Sequence, residues 1–109
     1  IRKVARRIVE DLGFQVAEAA DGQEALAYCR TEMPHAVLLD WNMPVMDGPS
    51  FLQALRSEPG GGEPRVIFCT TESDMDFIVK GLSLGANEYV MKPFDGDILE
   101  AKFAEVGLV

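Results

Sequence analysis

The amino-acid sequence predicts a single α/β domain built on a parallel, doubly wound sheet. Short apolar stretches of strand length alternate along the chain with longer stretches whose apolar residues recur at helical spacing. Strands that alternate with helices pair in parallel, because each helix returns the chain to the same end of the sheet. With 109 residues and 48% hydrophobic content, the chain suits one core, and we expect one domain over residues 1–109.

The first half of the chain opens on an amphipathic helix. Val4, Ile8 and Leu12 recur at helical spacing, and Gly13 ends the helix. A later apolar run, residues 36–39, shows no alternation, which is typical of a strand buried on both faces. In order, the predicted elements are a helix at 1–12, a strand at 15–19, a helix at 22–32, a strand at 36–40 and a helix at 48–57.

The second half of the chain continues the alternation. Gly85 ends one predicted helix, and Asp95 is placed to accept a hydrogen bond at the N-terminus of the last one. The glycine-rich stretch 59–64 follows a helix and precedes a strand, so it is predicted to be a flexible connection and not a phosphate loop. The predicted elements are a strand at 65–70, a helix at 74–84, a strand at 88–91 and a helix at 95–106.

Composition narrows the classes of function. The net charge is −8, and four of the ten basic residues lie in the first seven positions, so positions 8–109 hold six basic against eighteen acidic residues. Nucleic acid is therefore not expected as a direct partner. The chain contains no run approaching the ~20 apolar residues of a membrane span. Its two cysteines are predicted to be buried thiols, and we expect a cytoplasmic protein with no membrane partner.

Three polar side chains follow apolar strands of the predicted sheet. Asp40 ends the run 36–39, Thr70 comes thirty residues later, and Lys92 comes fifty-two residues after Asp40. Because the carboxyl ends of parallel strands meet at one edge of a sheet, we expect a carboxylate, a hydroxyl and an ammonium to meet there. This set suits an aspartate that accepts a phosphoryl group, since the reaction depends on positioning and on neutralising charge on the transferred oxygens.

The motifs around these residues resemble those of one family. The patterns D-x-x-M-P-x-M-D-G at 40–48, T-x-E at 70–72 and Y-x-x-K-P-F at 89–94 occur in that order. Together they resemble the receiver domain of two-component response regulators, closest to the single-domain chemotaxis (CheY-like) type. The resemblance implies a flavodoxin-like fold with strand order 2-1-3-4-5. It also implies a phosphoryl-accepting switch and not an enzyme with a separate substrate. The activity of such a switch is limited to phosphorylation and dephosphorylation of its own Asp40.

The resemblance assigns a role to each site residue. Asp40 is the phosphoacceptor, Lys92 neutralises the phosphoryl oxygens, and Thr70, in preference to Thr71, hydrogen-bonds the phosphoryl group. A cis Lys92–Pro93 bond is expected to aim the lysine. Mg²⁺ is the implied cofactor, with the Asp40 carboxylate and the backbone carbonyl of Asn42 as ligands.

The resemblance also identifies the signal-bearing residues and the partners. Tyr89 is the ring that moves when Thr70 shifts, and Lys102 on the terminal helix belongs to the partner surface. The expected donor is a histidine kinase. The expected target is a flagellar-motor or other downstream protein.

One departure from the family pattern concerns the start of the sequence. Family members open with a strand that ends in two acidic residues, whereas this sequence starts inside the first helix. We therefore expect an N-terminally truncated receiver domain in which the central strand is absent and the Mg²⁺ site is incomplete. The absent strand would leave a gap in the sheet between 15–19 and 36–40, and unpaired backbone groups there are costly. We expect the gap to be filled by an upstream segment, by a neighbouring chain, or by direct pairing of 15–19 with 36–40.

Three other functions are consistent with parts of the pattern. The domain could be a phosphate sink or relay without an output target, or a dimerisation module that does not need phosphorylation. The intact Asp40, Thr70 and Lys92 argue against the second of these. A hydrolase of the haloacid dehalogenase type needs a second aspartate two positions after the first, where this chain has Asn42.

Overall fold

The computed structural model describes residues 2–41, 45–70, 75–92 and 94–108. Eight of the nine predicted elements are present, each within two residues of its expected bounds. The helices are α1 (Arg2–Asp11), α2 (Gly22–Thr31), α3 (Gly48–Arg56), α4 (Met75–Ser83) and α5 (Gly96–Glu105), and the strands are β1 (Ala36–Asp40), β2 (Arg65–Thr70) and β3 (Glu88–Met91).

The three strands form one parallel sheet in the order β1-β2-β3. The pairing places Asp40 beside Cys69, and Thr70 beside Met91. The α/β class is confirmed, and the order of these strands agrees with that of the last three strands of the flavodoxin-like arrangement. Each strand therefore presents its carboxyl end at the same edge of the sheet.

The predicted strand at 15–19 is wrong. Residues 14–19 have no strand conformation, and within the described residues β2 is the one strand hydrogen-bonded to β1. A strand exists through its hydrogen-bonded neighbour, and in the family order the neighbour of this segment is the strand that precedes the first helix. Direct pairing of 15–19 with β1, one of the three expected ways to fill the gap, is therefore not formed.

Two apolar clusters hold the helices on the sheet. On one face, α2 and α3 pack through buried residues that include Leu26, Phe51, Leu52 and Leu55. On the other face, Leu99 and Phe103 of α5 pack with Ile67 and Val90, and residues of the first helix lie against them. Each fully buried side chain of this size contributes about 1.5–3 kcal/mol, so the two clusters fix the strand ends relative to the helices.

Aspartates begin three of the helices. Asp21, Asp47 and Asp95 precede α2, α3 and α5, and each side chain accepts a hydrogen bond from the backbone N–H three residues later. The prediction for Asp95 is confirmed. These caps satisfy backbone donors that the first turn of a helix leaves without partners.

Arg56, the last residue of α3, joins the loops at the amino-terminal edge of the sheet. Its guanidinium donates hydrogen bonds to the carbonyl oxygens of Gly61 at 2.7 Å, Pro64 at 2.9 Å and Gly85 at 2.7 Å. It also reaches the side-chain oxygen of Asn87, which accepts the N–H of Val66. Burial, followed by the charge of Arg65, lowers the pKa of Arg56. This network lies at the opposite end of the sheet from Asp40.

Candidate functional site

Asp40 and Lys92 form an ion pair at the carboxyl edge of the sheet. Asp40 ends β1 and Lys92 follows β3, so β2 lies between the two backbones. The ammonium of Lys92 nevertheless contacts a carboxylate oxygen of Asp40. The Asp40 side chain is 37% exposed and that of Lys92 is 19% exposed. The carboxylate is thus open to a reactant on one side and faces a cation on the other.

Thr70 lies between these two residues in the sheet. It ends β2, is buried, and accepts the backbone N–H of Lys92 at its carbonyl oxygen over 2.8 Å. This hydrogen bond continues the β2–β3 ladder beyond the last strand pair, Thr70 with Met91. The three residues that the sequence singled out are therefore brought to one edge by strand pairing.

Two glycines allow the loop after Asp40 to pack closely. The N–H of Gly48 donates to the carbonyl oxygen of Trp41 at 2.9 Å, and a Cβ at Gly48 would lie 2.3 Å from the carbonyl oxygen of Asp40. A Cβ at Gly22 would lie 2.3 Å from the carbonyl oxygen of Met46. Gly22 is a further residue on which the packing of this loop depends. Its position directly after the cap residue Asp21 was the available signal, because a glycine there is not needed for capping.

Asp47 fixes the start of α3 next to this loop. Its carboxylate accepts the backbone N–H of Ser50 at 2.9 Å. The hydrogen bonds from Ser50 hold the pKa of Asp47 below its usual value. Because its carboxylate caps α3, Asp47 shapes the loop that follows Asp40.

Aromatic side chains extend from the site towards β3. The rings of Trp41 and Phe68 pack with their centroids 4.9 Å apart, and Gly81 of α4 lies against both. Beside them is a cavity of about 10 Å³, whose lining also includes Thr70 and Tyr89. This volume holds at most one water molecule. The predicted switch residues Thr70 and Tyr89 thus border one small space beneath α4.

Tyr89 also contacts α5. The ammonium of Lys102 lies 4.9 Å from the centre of the Tyr89 ring. The same ammonium is 3.6 Å from a carboxylate oxygen of Glu88 and 3.7 Å from one of Glu105. Burial acts to raise the pKa of Glu88, but the neighbouring Glu105, the N–H of Tyr89 and Lys102 together leave it lowered. The neighbouring Glu88 carboxylate raises the pKa of Glu105.

Comparison with known proteins identifies the family. The sequence model of one protein family, the response regulator receiver domain, matches residues 1–104 of the chain. The chain belongs to this family. It is 39% identical over 106 residues to the probable transcriptional regulator ycf27 of Porphyridium aerugineum, covering 97% of the chain and 43% of that protein. The chain therefore spans about two fifths of the length of such relatives.

Solved receiver structures share the fold. The chemotaxis protein CheY4 of Vibrio cholerae has a TM-score of 0.90 and 31% identity, with 96% of this chain and 88% of that chain covered. The receiver domain of a sensor histidine kinase from Pseudomonas aeruginosa has a TM-score of 0.87 and 27% identity, with 97% and 88% covered. That structure has a magnesium ion coordinated in its active-site cleft.

The described residues of this receiver domain do not by themselves make a magnesium site. No group of three histidine, cysteine or acidic side chains in the described ranges could hold a metal ion. Asp40 offers one carboxylate. Asn42, the other expected ligand, lies outside the described residues, as do Thr71 and Pro93 with the expected cis bond. Mg²⁺ prefers near-octahedral oxygen coordination, which one carboxylate cannot supply.

The Cys69 thiol lies next to Asp40 at the end of β2. Burial, followed by the charge of Asp40, raises the pKa of Cys69 to about 12, so this thiol next to the site stays protonated and unreactive.

None of the helices in the described part of the chain has the length and apolar character needed to cross a membrane.

Proposed function

We propose that this receiver domain, over residues 1–109, is a phosphoryl-accepting switch. Asp40 takes a phosphoryl group from a histidine kinase, and the resulting change at Thr70 and Tyr89 alters binding to a target protein. The observation that carries the proposal is the contact between the Lys92 ammonium and the partly exposed Asp40 carboxylate. A carboxylate held against a cation at a sheet edge has the charge arrangement that phosphoryl transfer requires.

The proposed reaction moves one phosphoryl group between two proteins. An oxygen of Asp40 attacks the phosphorus of the phosphorylated histidine, the new P–O bond forms, and the P–N bond breaks. The electron pair of that bond stays on the imidazole nitrogen, which then takes up a proton. Lys92 stabilises the negative charge on the transferred oxygens as a point charge. Its backbone hydrogen bond to Thr70 keeps its stem in place during the transfer.

The proposed switch follows from the new charge. A phosphoryl group adds roughly 1.5–2 negative charges and three acceptor oxygens. The Thr70 hydroxyl is proposed to donate to one of these oxygens, which moves the end of β2. Tyr89 shares the cavity with Thr70, and about 10 Å³ is too little for a phenol ring. Entry of the ring therefore requires α4 to move, and this movement is what a partner would recognise.

Magnesium is proposed as the cofactor of the domain when an upstream acidic pair of the family type is present. In the described ranges no group of three candidate ligands could hold a metal ion, and Asp40 is the carboxylate that the proposed site supplies. When bound, a divalent cation would offset charge on the phosphoryl oxygens.

The relatives support different outputs. One is named a transcriptional regulator and another a chemotaxis protein. We propose a cytoplasmic setting, a histidine kinase as the donor, and a flagellar-motor or other protein as the target, without direct nucleic-acid or membrane binding. The alternatives are a phosphate sink or relay, which would bind no target in either state, and a dimerisation module, which would still signal as Asp40→Asn.

Labelling with a small phosphodonor tests the proposed acceptor. We expect acetyl phosphate with Mg²⁺ to place one acid-stable, base-labile phosphoryl group on the protein that carries this chain. Asp40→Asn should abolish labelling. Asp97→Asn, which changes an exposed aspartate at the start of α5, should leave it unchanged. Full labelling of Asp40→Asn would refute the assignment.

A further inference from the structure

We propose that Lys102 is a positioning residue that holds the Tyr89 ring at the edge of the sheet in the unmodified protein. Glu88 and Glu105 hold the Lys102 ammonium in place. This inference rests on the proposed function only in that it takes Tyr89 to be the signal-bearing ring. It adds a group of three charged residues that sets the resting position of that ring.

The contacts form one connected cluster. The Lys102 ammonium has the Tyr89 ring at 4.9 Å and carboxylate oxygens of Glu88 and Glu105 at 3.6 and 3.7 Å. The side chains of Lys102 and Glu88 are only 22% and 21% exposed. A cation placed over an aromatic face is attracted by the ring, and more strongly when both are partly removed from water. This cluster therefore differs from a solvated surface pair, which contributes little.

The position of the ammonium is set by the second apolar cluster. Lys102 lies on α5, next to Phe103 and three residues after Leu99, and both of these are almost completely buried. Tyr89 packs against the first cluster, on the other side of the sheet. Lys102 thus reaches around edge strand β3 to contact the ring. Because α5 is fixed by its core residues, the ammonium has a defined place to which it can draw the ring.

The ring has two competing environments. One is the Lys102 ammonium, and the other is the space beneath α4 that Thr70 and Tyr89 border. Removing the positive charge takes away one attraction and leaves the other, so the conformers in which α4 has moved and the ring lies towards it should become more populated. Removing one carboxylate should have a smaller effect in the same direction, because the ammonium would then be less firmly held.

Fluorine NMR of the unphosphorylated protein tests this role. The chain has two tyrosines, so labelling with 3-fluorotyrosine in a Tyr28→Phe background gives a signal from Tyr89 alone. We expect Lys102→Met to shift that signal, with a change of roughly two- to fivefold in the ratio of ring positions. Lys102→Arg should stay close to the parent, because a guanidinium also stacks on aromatic rings. Lys80→Met, an equal loss of charge at an exposed site on α4, is the matched control.

The outcomes separate this inference from the proposed function. A Tyr89 signal in Lys102→Met that matches both the parent and Lys80→Met would overturn the positioning role. A shift in Lys102→Met together with no response of the parent to acetyl phosphate would uphold the positioning role and refute the signalling role of Tyr89. Thermal unfolding of each variant distinguishes a local change at the ring from loss of the fold.

Discussion

Lys92 meets Asp40 because strand pairing holds the two backbones at the same sheet edge, with only β2 between them. The N–H of Lys92 donates to Thr70, and Thr70 follows the residue that pairs with Asp40. The long lysine side chain then spans the end of β2. These positions could be predicted from the sequence, since each residue ends or follows an apolar run and parallel strands align such ends. The Glu88–Lys102–Glu105 cluster could not, because it depends on how α5 crosses β3.

Replacing Lys92 should slow phosphorylation of Asp40. Lys92→Gln removes the cation next to the carboxylate, and we expect the initial rate of labelling by acetyl phosphate to fall by roughly ten- to a hundredfold. Loss of one stabilising group in a more enclosed site costs about 10²–10³, and Asp40 is partly open to water. Lys80→Gln provides the control, and equal rates for the two variants would contradict the role of Lys92.

Gly48 should tolerate no side chain. Gly48→Ala would place a methyl group against the carbonyl oxygen of Asp40, where a Cβ lies at 2.3 Å. We expect a loss of about 1–3 kcal/mol in the free energy of unfolding and slower labelling of Asp40. Gly62→Ala is the matched control, because a Cβ there meets nothing within 4 Å. Denaturant unfolding of both variants gives the comparison, and equal stabilities would contradict the close packing of this loop.

At the level of elements, the site depends on where α3 begins and where β1, β2 and β3 end. The helices and the three paired strands could be predicted because apolar periodicity and capping residues are local signals. The predicted strand at 15–19 failed because strand formation is not local. The described residues offer this segment no hydrogen-bonding neighbour. The role of Gly22 is likewise not local, since its packing partner Met46 is distant in sequence.

The cap of α3 should make stability depend on acid pH. Hydrogen bonds to Ser50 lower the pKa of Asp47, so its contribution is complete at neutral pH and is lost as the pH falls through the lowered pKa. Asp47→Ala should cost about 1 kcal/mol at pH 7 and less in acid. Asp47→Asn keeps a cap that does not titrate, so its unfolding free energy should vary less with pH. Parallel pH profiles for the parent and Asp47→Asn would argue against this contribution.

At the scale of the whole molecule, the strands of the sheet differ in how completely they are buried. Five of the six residues of β2 are buried, whereas only Leu39 is buried in β1. The difference arises because β2 has a neighbour on each side and β1 has one among the described residues. The resemblance to receiver domains implies a further strand beside β1, but periodicity could not show that residues 14–19 take no strand conformation.

Magnesium binding should depend on an upstream acidic pair. We expect titration with Mg²⁺, followed by Trp41 fluorescence, to show much weaker binding for residues 1–109 alone than for a version extended by the family's first strand and acid pair. The reason is that the described residues contain no group of three histidine, cysteine or acidic side chains that could hold a metal ion. A third version, with both added acids replaced by asparagine, separates the effect of the ligands from that of the strand. Equal affinities in all three would show that the upstream acids are not ligands.

The hydrogen bonds of Arg56 have a consequence for motion in the molecule. One guanidinium closes the loops at 57–64 and 84–87 onto the end of α3. Opening any of these segments breaks bonds in the others, so the backbone amides of Val66 and Asn87 should exchange with deuterium only when the whole sheet unfolds. Amides at the opposite edge, near Lys92 and Gly48, have no such common partner among the described contacts. Deuterium uptake should therefore divide the domain into an end that exchanges slowly, around Arg56, and an end that exchanges quickly, around Asp40 and Lys92.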